Sequence, residues 1–218
     1  MERIFDQDLV TANRLRARRR LEAGTDFLLA IAAREMAERL ALVERRFDEA
    51  VELHGATGLA AREALTTGKI ATLKRVETHS EFFEGAAPGI EAPFETVPLE
   101  PQSVNLVLSP LALHLTNDTP GVLVQIRRAL KPDGLFMAAV PGAGTLAELR
   151  DVLLSTEVEL EGGASPRVIP FADIRDIGGL MQRAGFTLPV IDEESYTVRY
   201  DNLFALMRDL KAMGMANP

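Results

Sequence analysis

The chain of 218 residues has no cysteine and no tryptophan, two tyrosines and three histidines. Without cysteine there can be no disulfide, thiolate metal site, iron–sulfur cluster or cysteine nucleophile. The histidines, His54, His79 and His114, lie far apart and lack metal-ligand spacing, so no zinc or non-haem iron centre is legible. Apolar runs fall well short of the roughly 18 residues that a membrane span needs. No N-terminal segment pairs a basic stretch with an uninterrupted apolar one, so a soluble cytoplasmic protein without a signal peptide is expected. Nucleophile elbow, phosphate loop, paired catalytic carboxylates and internal repeats are missing too.

What is present is ordinary globular material, 47% hydrophobic and 26% charged. The length suits one substantial domain, or one with a small appendage, able to bury about 70% of its unfolded surface. The net charge of -8 argues against a general nucleic-acid binder. It is unevenly placed: residues 1–46 carry +2 and residues 47–218 carry -10. The division predicts a helical arm over 1–46 and an α/β body over 47–218. Arg14, Arg16, Arg18, Arg19 and Arg20 crowd one stretch of the arm. They read first as a solvated helix face, the alternative being a docking surface for an acidic partner or for the chain's own acidic body.

Hydrophobic spacing predicts helices over 8–22 and 26–46, then a change of texture. Strands are expected at 50–53, 70–76, 104–108 and 135–140, with a short one near Phe94 and another near 195–200. Helices are expected at 59–65, 120–130, 146–161, 171–184 and 202–213. Such alternation predicts a mainly parallel sheet covered on both faces. Right-handed crossovers would then bring the loops at 54–58, 77–81, 92–97 and 109–117 to one edge, where ligands of such folds bind.

Three segments can carry chemistry there. Glu52-Leu53-His54-Gly55-Ala56-Thr57-Gly58 joins a strand to a helix through small residues, which makes either a cofactor cradle or a plain turn. Glu77, at the end of the second strand, can accept two ribose hydroxyls or stand as a solvated charge. His114 can bind a ligand, act as a base near neutral pH, or be a structural histidine. Met207, Met213 and Met215 read as helix-face packing.

Leu130-Lys131-Pro132-Asp133-Gly134, between a helix and an apolar strand, resembles the segment before the fifth strand in class I S-adenosylmethionine (SAM) methyltransferases. The strand Leu106–Ser109 with Leu113-His114 behind it resembles their fourth strand and loop. Further motifs narrow the likeness to methyltransferase-like complex I assembly factors and their malonyl-acyl carrier protein methyltransferase relatives. These are Ile4-Phe5-Asp6 before the Arg-rich helix, Leu113-His114-Leu115-Thr116-Asn117-Asp118, Gly144–Arg150, Glu161–Arg167 with Pro170-Phe171, Arg183–Phe186 and Leu206–Gly214. Family members run on past the position of Pro218, so a short or trimmed member is expected.

The resemblance implies a Rossmann-like domain with a C-terminal helical cap. It places SAM over Glu52, His54, Gly55, Ala56, Thr57 and Gly58, its ribose near Glu77, its adenine near Phe94 and its methionine part near Ser109, Pro110, Leu111 and His114. His114 would orient or deprotonate a small-molecule or protein acceptor. Mitochondrial members are associated with hydroxylating an arginine of a respiratory complex I subunit, which makes such a subunit a candidate partner. The chain departs from the family pattern in its first motif, where His54 and Ala56 stand at glycine positions. Pro93 replaces the acid beside the adenine, and Leu115 replaces a tryptophan. Two readings follow: SAM binding weakened or lost in a retained scaffold that binds a protein, or SAM held in a shifted pose with His54 swung outward.

Overall fold

The computed structural model describes residues 3–20, 24–83, 89–163 and 165–217. Its centre is a five-stranded, all-parallel sheet in the order β3-β2-β1-β4-β5. The strands are β1 (Phe47–Leu53), β2 (Ile70–Glu77), β3 (Gly89–Glu91), β4 (Val104–Pro110) and β5 (Leu130–Ala139). The helices are α1 (Gln7–Arg20), α2 (Phe27–Ala41), α3 (Leu59–Thr66), α4 (Thr119–Ala129), α5 (Ala147–Glu161), α6 (Ile174–Arg183) and α7 (Leu203–Ala212). Short 3-10 turns occupy Ser80–Phe83 and Leu113–Leu115. Among the described residues, no helix is long and apolar enough to cross a membrane.

Side chains of the central strands alternate between two apolar layers, as a sheet buried on both faces requires. On one side Met36 and Leu40 of α2 and Ala61 and Ala64 of α3 meet Ala50, Leu106 and Leu108. On the other, Val51, Leu53, Val76 and Val107 meet Val122, Leu123 and Ile126 of α4, with Leu180 and Met181 of α6 beyond. Helix α4 starts where it does because the Asp118 carboxylate accepts the Gly121 amide at 2.9 Å and Pro120 needs no donor partner.

Several boundaries differ from those expected. The second helix stops at Ala41 and β1 begins at Phe47, so residues 42–46 form the turn between them. The expected strand near Phe94 is β3, ending at Glu91; Phe94 lies in the following turn. β5 begins at Leu130 and includes the Lys131–Gly134 segment, and a register shift opposite Val104–Leu106 absorbs the extra residues. No strand forms near 195–200. There Tyr196 and Val198 are exposed, and without a neighbouring strand the alternation has nothing to pair with. Leu21 and Glu22, the end of the first expected helix, lie outside the described residues.

The sequence crosses from one half of the sheet to the other between β3 and β4, so β1 and β4 diverge at a topological switch point. A crevice beyond their C-terminal ends follows from that strand order.

Candidate functional site

Glu52, the last residue but one of β1, is fully buried, and its carboxylate fills the space beneath Gly55. A Cβ at Gly55 would stand 2.3 Å from the Glu52 carboxyl carbon, so glycine is obligatory there. Glu52 Oε1 accepts the Ala61 amide at 2.8 Å, tying the strand end to α3. Its Oε2 receives Arg75 Nε at 2.6 Å. The buried Arg75 guanidinium also reaches Glu77 Oε1 at 2.6 Å, the Phe82 carbonyl at 2.7 Å and the Ala56 carbonyl at 3.0 Å. One guanidinium therefore fixes two carboxylates and two loops. Gly58, at φ 67°, leaves room for it, since a Cβ there would meet Arg75 Cζ at 2.9 Å.

His54 and Ala56 hold φ of 54° and 57°, the left-handed conformation that glycine adopts without cost. The loop thus keeps a glycine backbone with side chains added. The His54 imidazole stacks on Phe94 with ring centroids 4.5 Å apart. Beside this pair, Ser109, Ala112 and Thr116 help to line a void of about 10 Å³, room for a water at most.

The basic stretch of the arm is not simply a solvated face. Arg14 is buried, and its Nη2 donates to the His54 carbonyl at 2.5 Å. Its guanidinium lies 5.3 Å from the Phe94 ring centre and 5.9 Å from that of Phe82. Arg19 pairs with Glu81 at 2.6 Å. The arm is clasped elsewhere as well. Asn117 Oδ1 accepts the Ile4 and Phe5 amides, each at 2.8 Å, and Gln7 donates to the Leu115 carbonyl at 2.9 Å. Phe5 and Val10 join Phe94, Ala112, Leu115 and Ile169 in an apolar cluster. The expected solvated face is thus corrected at two positions: Arg19 follows the alternative, docking on the chain's own acidic body, and Arg14 is buried against the His54 loop.

Under the arm lies a second cavity, of about 230 Å³. The loop Gly55–Thr57, Pro110, Leu111 and His114 border it on the sheet side. Arg14 borders it from α1, Leu28 and Leu29 from α2, and Met213 and Met215 from the C-terminal turn. These methionines are cavity wall as well as packing.

Burial governs the ionisable groups. It pushes Glu77 up to about 7, against the pull of Arg14 and Arg75. His54 is pushed down to about 3 by burial and by Arg14, and His114 likewise. Both imidazoles are then neutral at neutral pH, and His114 offers a donor and an acceptor but only a weak base. This departs from the expectation of a base titrating near neutrality. Both ring nitrogens of His114 lack hydrogen-bond partners, as do Glu77 Oε2, His54 Nδ1, Thr78 Oγ1, Ser109 Oγ and Arg14 Nη1.

The sequence candidates Glu52, His54, Gly55, Ala56, Thr57, Gly58, Glu77, Phe94, Ser109, Pro110, Leu111 and His114 thus share one sheet edge, in three groups, of which Glu52, Gly58 and Glu77 surround the buried Arg75 guanidinium. His54, Phe94 and Ser109 adjoin the small void. Gly55, Ala56, Thr57, Pro110, Leu111 and His114 border the open cavity. The alternative reading of Glu77 as a solvated charge fails, because its side chain is wholly buried. Arg14 and Arg75 were missed as site residues. Only their burial distinguishes them from surface arginines, and local sequence carries no signal of it. Among the described residues, no three His, Asp or Glu side chains gather in a way that could hold a metal ion.

Residues 53–138 match the methyltransferase domain family. The chain is 36% identical to human mitochondrial arginine-hydroxylase NDUFAF5, over 98% of this chain and 64% of that protein. It is 34% identical to a malonyl-[acyl-carrier protein] O-methyltransferase of Halorhodospira halophila, over 87% of this chain and 66% of that one. It therefore spans a little under two thirds of the length of either relative. The fold matches the YcgJ protein of Bacillus subtilis with a TM-score of 0.61 at 14% identity, covering 84% and 82% of the two chains. It also matches a methyltransferase of Haloferax volcanii solved with its Trm112 activator, with a TM-score of 0.56 at 18% identity over 89% and 95%. By domain match and strand order together, residues 53–138 are similar to a methyltransferase domain and the chain has the Rossmann-like class I methyltransferase fold.

Proposed function

We propose that the chain binds SAM at the C-terminal edge of β1, β2 and β4 and transfers a methyl group to an acceptor in the 230 Å³ cavity. The observation that carries this reading is Glu77, wholly buried with Oε2 unpartnered. A buried polar atom without a partner costs about 1–3 kcal/mol, and here several gather at one edge. Ribose hydroxyls and an amino-acid moiety supply the complementary donors and acceptors. On that count the residues fit the cofactor. Glu77 would hold the ribose, Phe94 the adenine, and Gly55–Thr57 with Ser109–Leu111 the methionine part. The group that must leave is the His54 imidazole, which now covers Phe94.

The cofactor's contribution is an electrophilic methyl on a sulfonium. The chain's contribution is position. The Gly55–Thr57 loop and Pro110-Leu111 form the cavity floor on which donor and acceptor meet, and proximity is worth most in such a transfer. His114, neutral, orients an acceptor through its N–H or its lone pair. The arm, closed by Arg14 and Asn117, keeps water from the site. Titration calorimetry with S-adenosylhomocysteine tests the proposal. Micromolar affinity, lost in Glu77→Ala, is expected; no heat at millimolar ligand would overturn it.

A second reading rests on the His54–Phe94 stack and the seal made by Arg14. Together they fill the nucleoside half of the crevice, as a scaffold without cofactor would. His54 and Ala56 at glycine positions then mark a degenerate first motif, and the partner would be a protein, such as a respiratory complex subunit. His54→Gly discriminates: if it binds S-adenosylhomocysteine and the native chain does not, the scaffold reading holds. Arginine hydroxylation, named for relatives, is tested by mass spectrometry of the presumed target in a deletion strain. A cytoplasmic setting belongs to the same proposal.

A further inference from the structure

The Phe94 ring is held by two parts of the chain. The His54 imidazole stacks on it, 4.5 Å away and inclined by 17°. From the arm, Phe5 and Val10 share its apolar cluster, and the Arg14 guanidinium lies 5.3 Å from its centre. Arg14 also bonds the His54 carbonyl, so one side chain of the arm grips both members of the stack. His54 sits at φ 54°, a conformation that a residue with a Cβ keeps only when its surroundings impose it. Its main chain is pinned to β2, the His54 amide donating to the Val76 carbonyl at 2.8 Å. What can move is therefore the imidazole. It has no inward place to go, because the void beside it takes a water at most. The larger cavity is bordered by Arg14 and not by His54, so Arg14 stands between the imidazole and that space.

We propose that the arm is an autoinhibitory strap: docked through Arg14, it holds the His54 imidazole on Phe94, in the place a nucleobase would take. Filling that place and docking the arm then compete. A nucleoside ligand loosens this strap, whereas ligands ordinarily close the lids that cover them. The Asn117 contacts with the Ile4 and Phe5 amides keep the start of the arm in place. Helix α1 swings on that clasp, which in the loaded protein keeps the arm over the site. By linkage, the factor by which a ligand raises arm opening is the factor by which arm opening raises its affinity. That the ligand is the SAM nucleoside rests on the reading above; the strap's grip on His54 does not.

Two measurements on the full chain test this. The first needs no ligand. With three histidines in the chain, the His54 ring protons can be assigned by NMR, displaced upfield by the Phe94 face. Arg14→Gln should move them towards the position of an exposed imidazole. Asn117→Ala loosens the arm at residues bonded to neither Arg14 nor His54, and should move them the same way by less. Unmoved signals in Arg14→Gln would overturn the proposal, as would unmoved signals in Asn117→Ala should Arg14→Gln fail to fold. The second measurement is the rate at which trypsin cuts the Arg14–Arg20 stretch. Saturating S-adenosylhomocysteine should speed it about fivefold or more, and methionine, which lacks the base, should leave it unchanged. Asn117→Ala should bind S-adenosylhomocysteine more tightly than the native chain does. Slower cutting with the ligand bound, equal acceleration by methionine, or weaker binding by Asn117→Ala would overturn the strap. Absence of binding to either protein would sink the SAM reading, and the His54 signals would still decide whether the arm holds the ring.

Discussion

Two regions of this chain are built to different standards. From Phe47 to Leu130 the strands and α4 bury Leu106, Val107 and Ile126 completely, along with the ion pairs of Arg75. Beyond residue 140, α5, α6 and α7 bury no residue, and Val168 and Ile169 are the buried aliphatic side chains. Leu160, Leu188, Val190 and Phe204 are 75–92% exposed. Polar contacts tie the later region to the earlier one, among them Arg39 with Asp192 and Tyr196 with Glu35. Asn13 also donates to the Ala216 carbonyl at 3.3 Å. Most of the buried apolar surface therefore lies in the first region; the second adds Ile169, Leu180 and Met181 at the margins of its clusters, and cavity wall through Met213 and Met215.

The strongest way to break this contrast is at Arg75. Arg75→Met leaves Glu52 and Glu77 buried without their partner, and should cost about 3–5 kcal/mol in urea unfolding. A loss below 1 kcal/mol would mean that the carboxylates are compensated otherwise. Next comes a matched pair of truncations. Ile126→Ala should cost about 2–5 kcal/mol, whereas Leu160→Ala should stay within about 0.5 kcal/mol. Similar values for the two would erase the distinction between the regions.

The pH dependence has a worked sign. His54 and His114 bind protons less readily when folded, so their contribution is present at neutral pH and is lost from about 6.5 towards about 3. Glu77 acts oppositely: its raised value favours the fold below about 4.5, and that gain is lost as pH rises through about 7. Two histidines outweigh one glutamate between these limits. The melting temperature should therefore fall with acid, and should fall less in His114→Gln. An unchanged slope in that variant would place His114 in contact with water.

Smaller effects sharpen the arm and the loop. Asn117→Ala removes the acceptor for the Ile4 and Phe5 amides, and trypsin should then cut the Arg14–Arg20 stretch faster, by several-fold for about 1 kcal/mol of lost closure. Unchanged cleavage would show that Phe5 and Val10 hold the arm without it. Ala56→Gly relieves a left-handed alanine and should raise stability by up to about 1 kcal/mol. A loss instead would mean that the Ala56 side chain packs.

Much of the architecture was legible because periodicity reports burial directly. Ala50–Leu53 and Val104–Leu108 are apolar runs broken only by Glu52 and Asn105, as central parallel strands lead one to expect. The 195–200 segment misled because alternating Tyr196 and Val198 describe a strand only when another strand lies alongside. In the site, Glu52, Gly55 and Glu77 could be placed from their position at strand ends. Arg14 could not, since an arginine among arginines becomes a buried group at a cavity wall only when its helix folds back on the sheet.

The sequence by itself determined the alternation of strands and helices, the glycine-loop segment, and the excess of acid outside the arm. These are local properties, readable from neighbours in the chain. Tertiary structure decided which charges are buried. It set Arg75 between two glutamates, placed His54 on Phe94, and brought one arginine of the arm beneath the surface to face a cavity. Burial is a property of distant segments meeting, and the cost of enclosing a charge exists only once they have met.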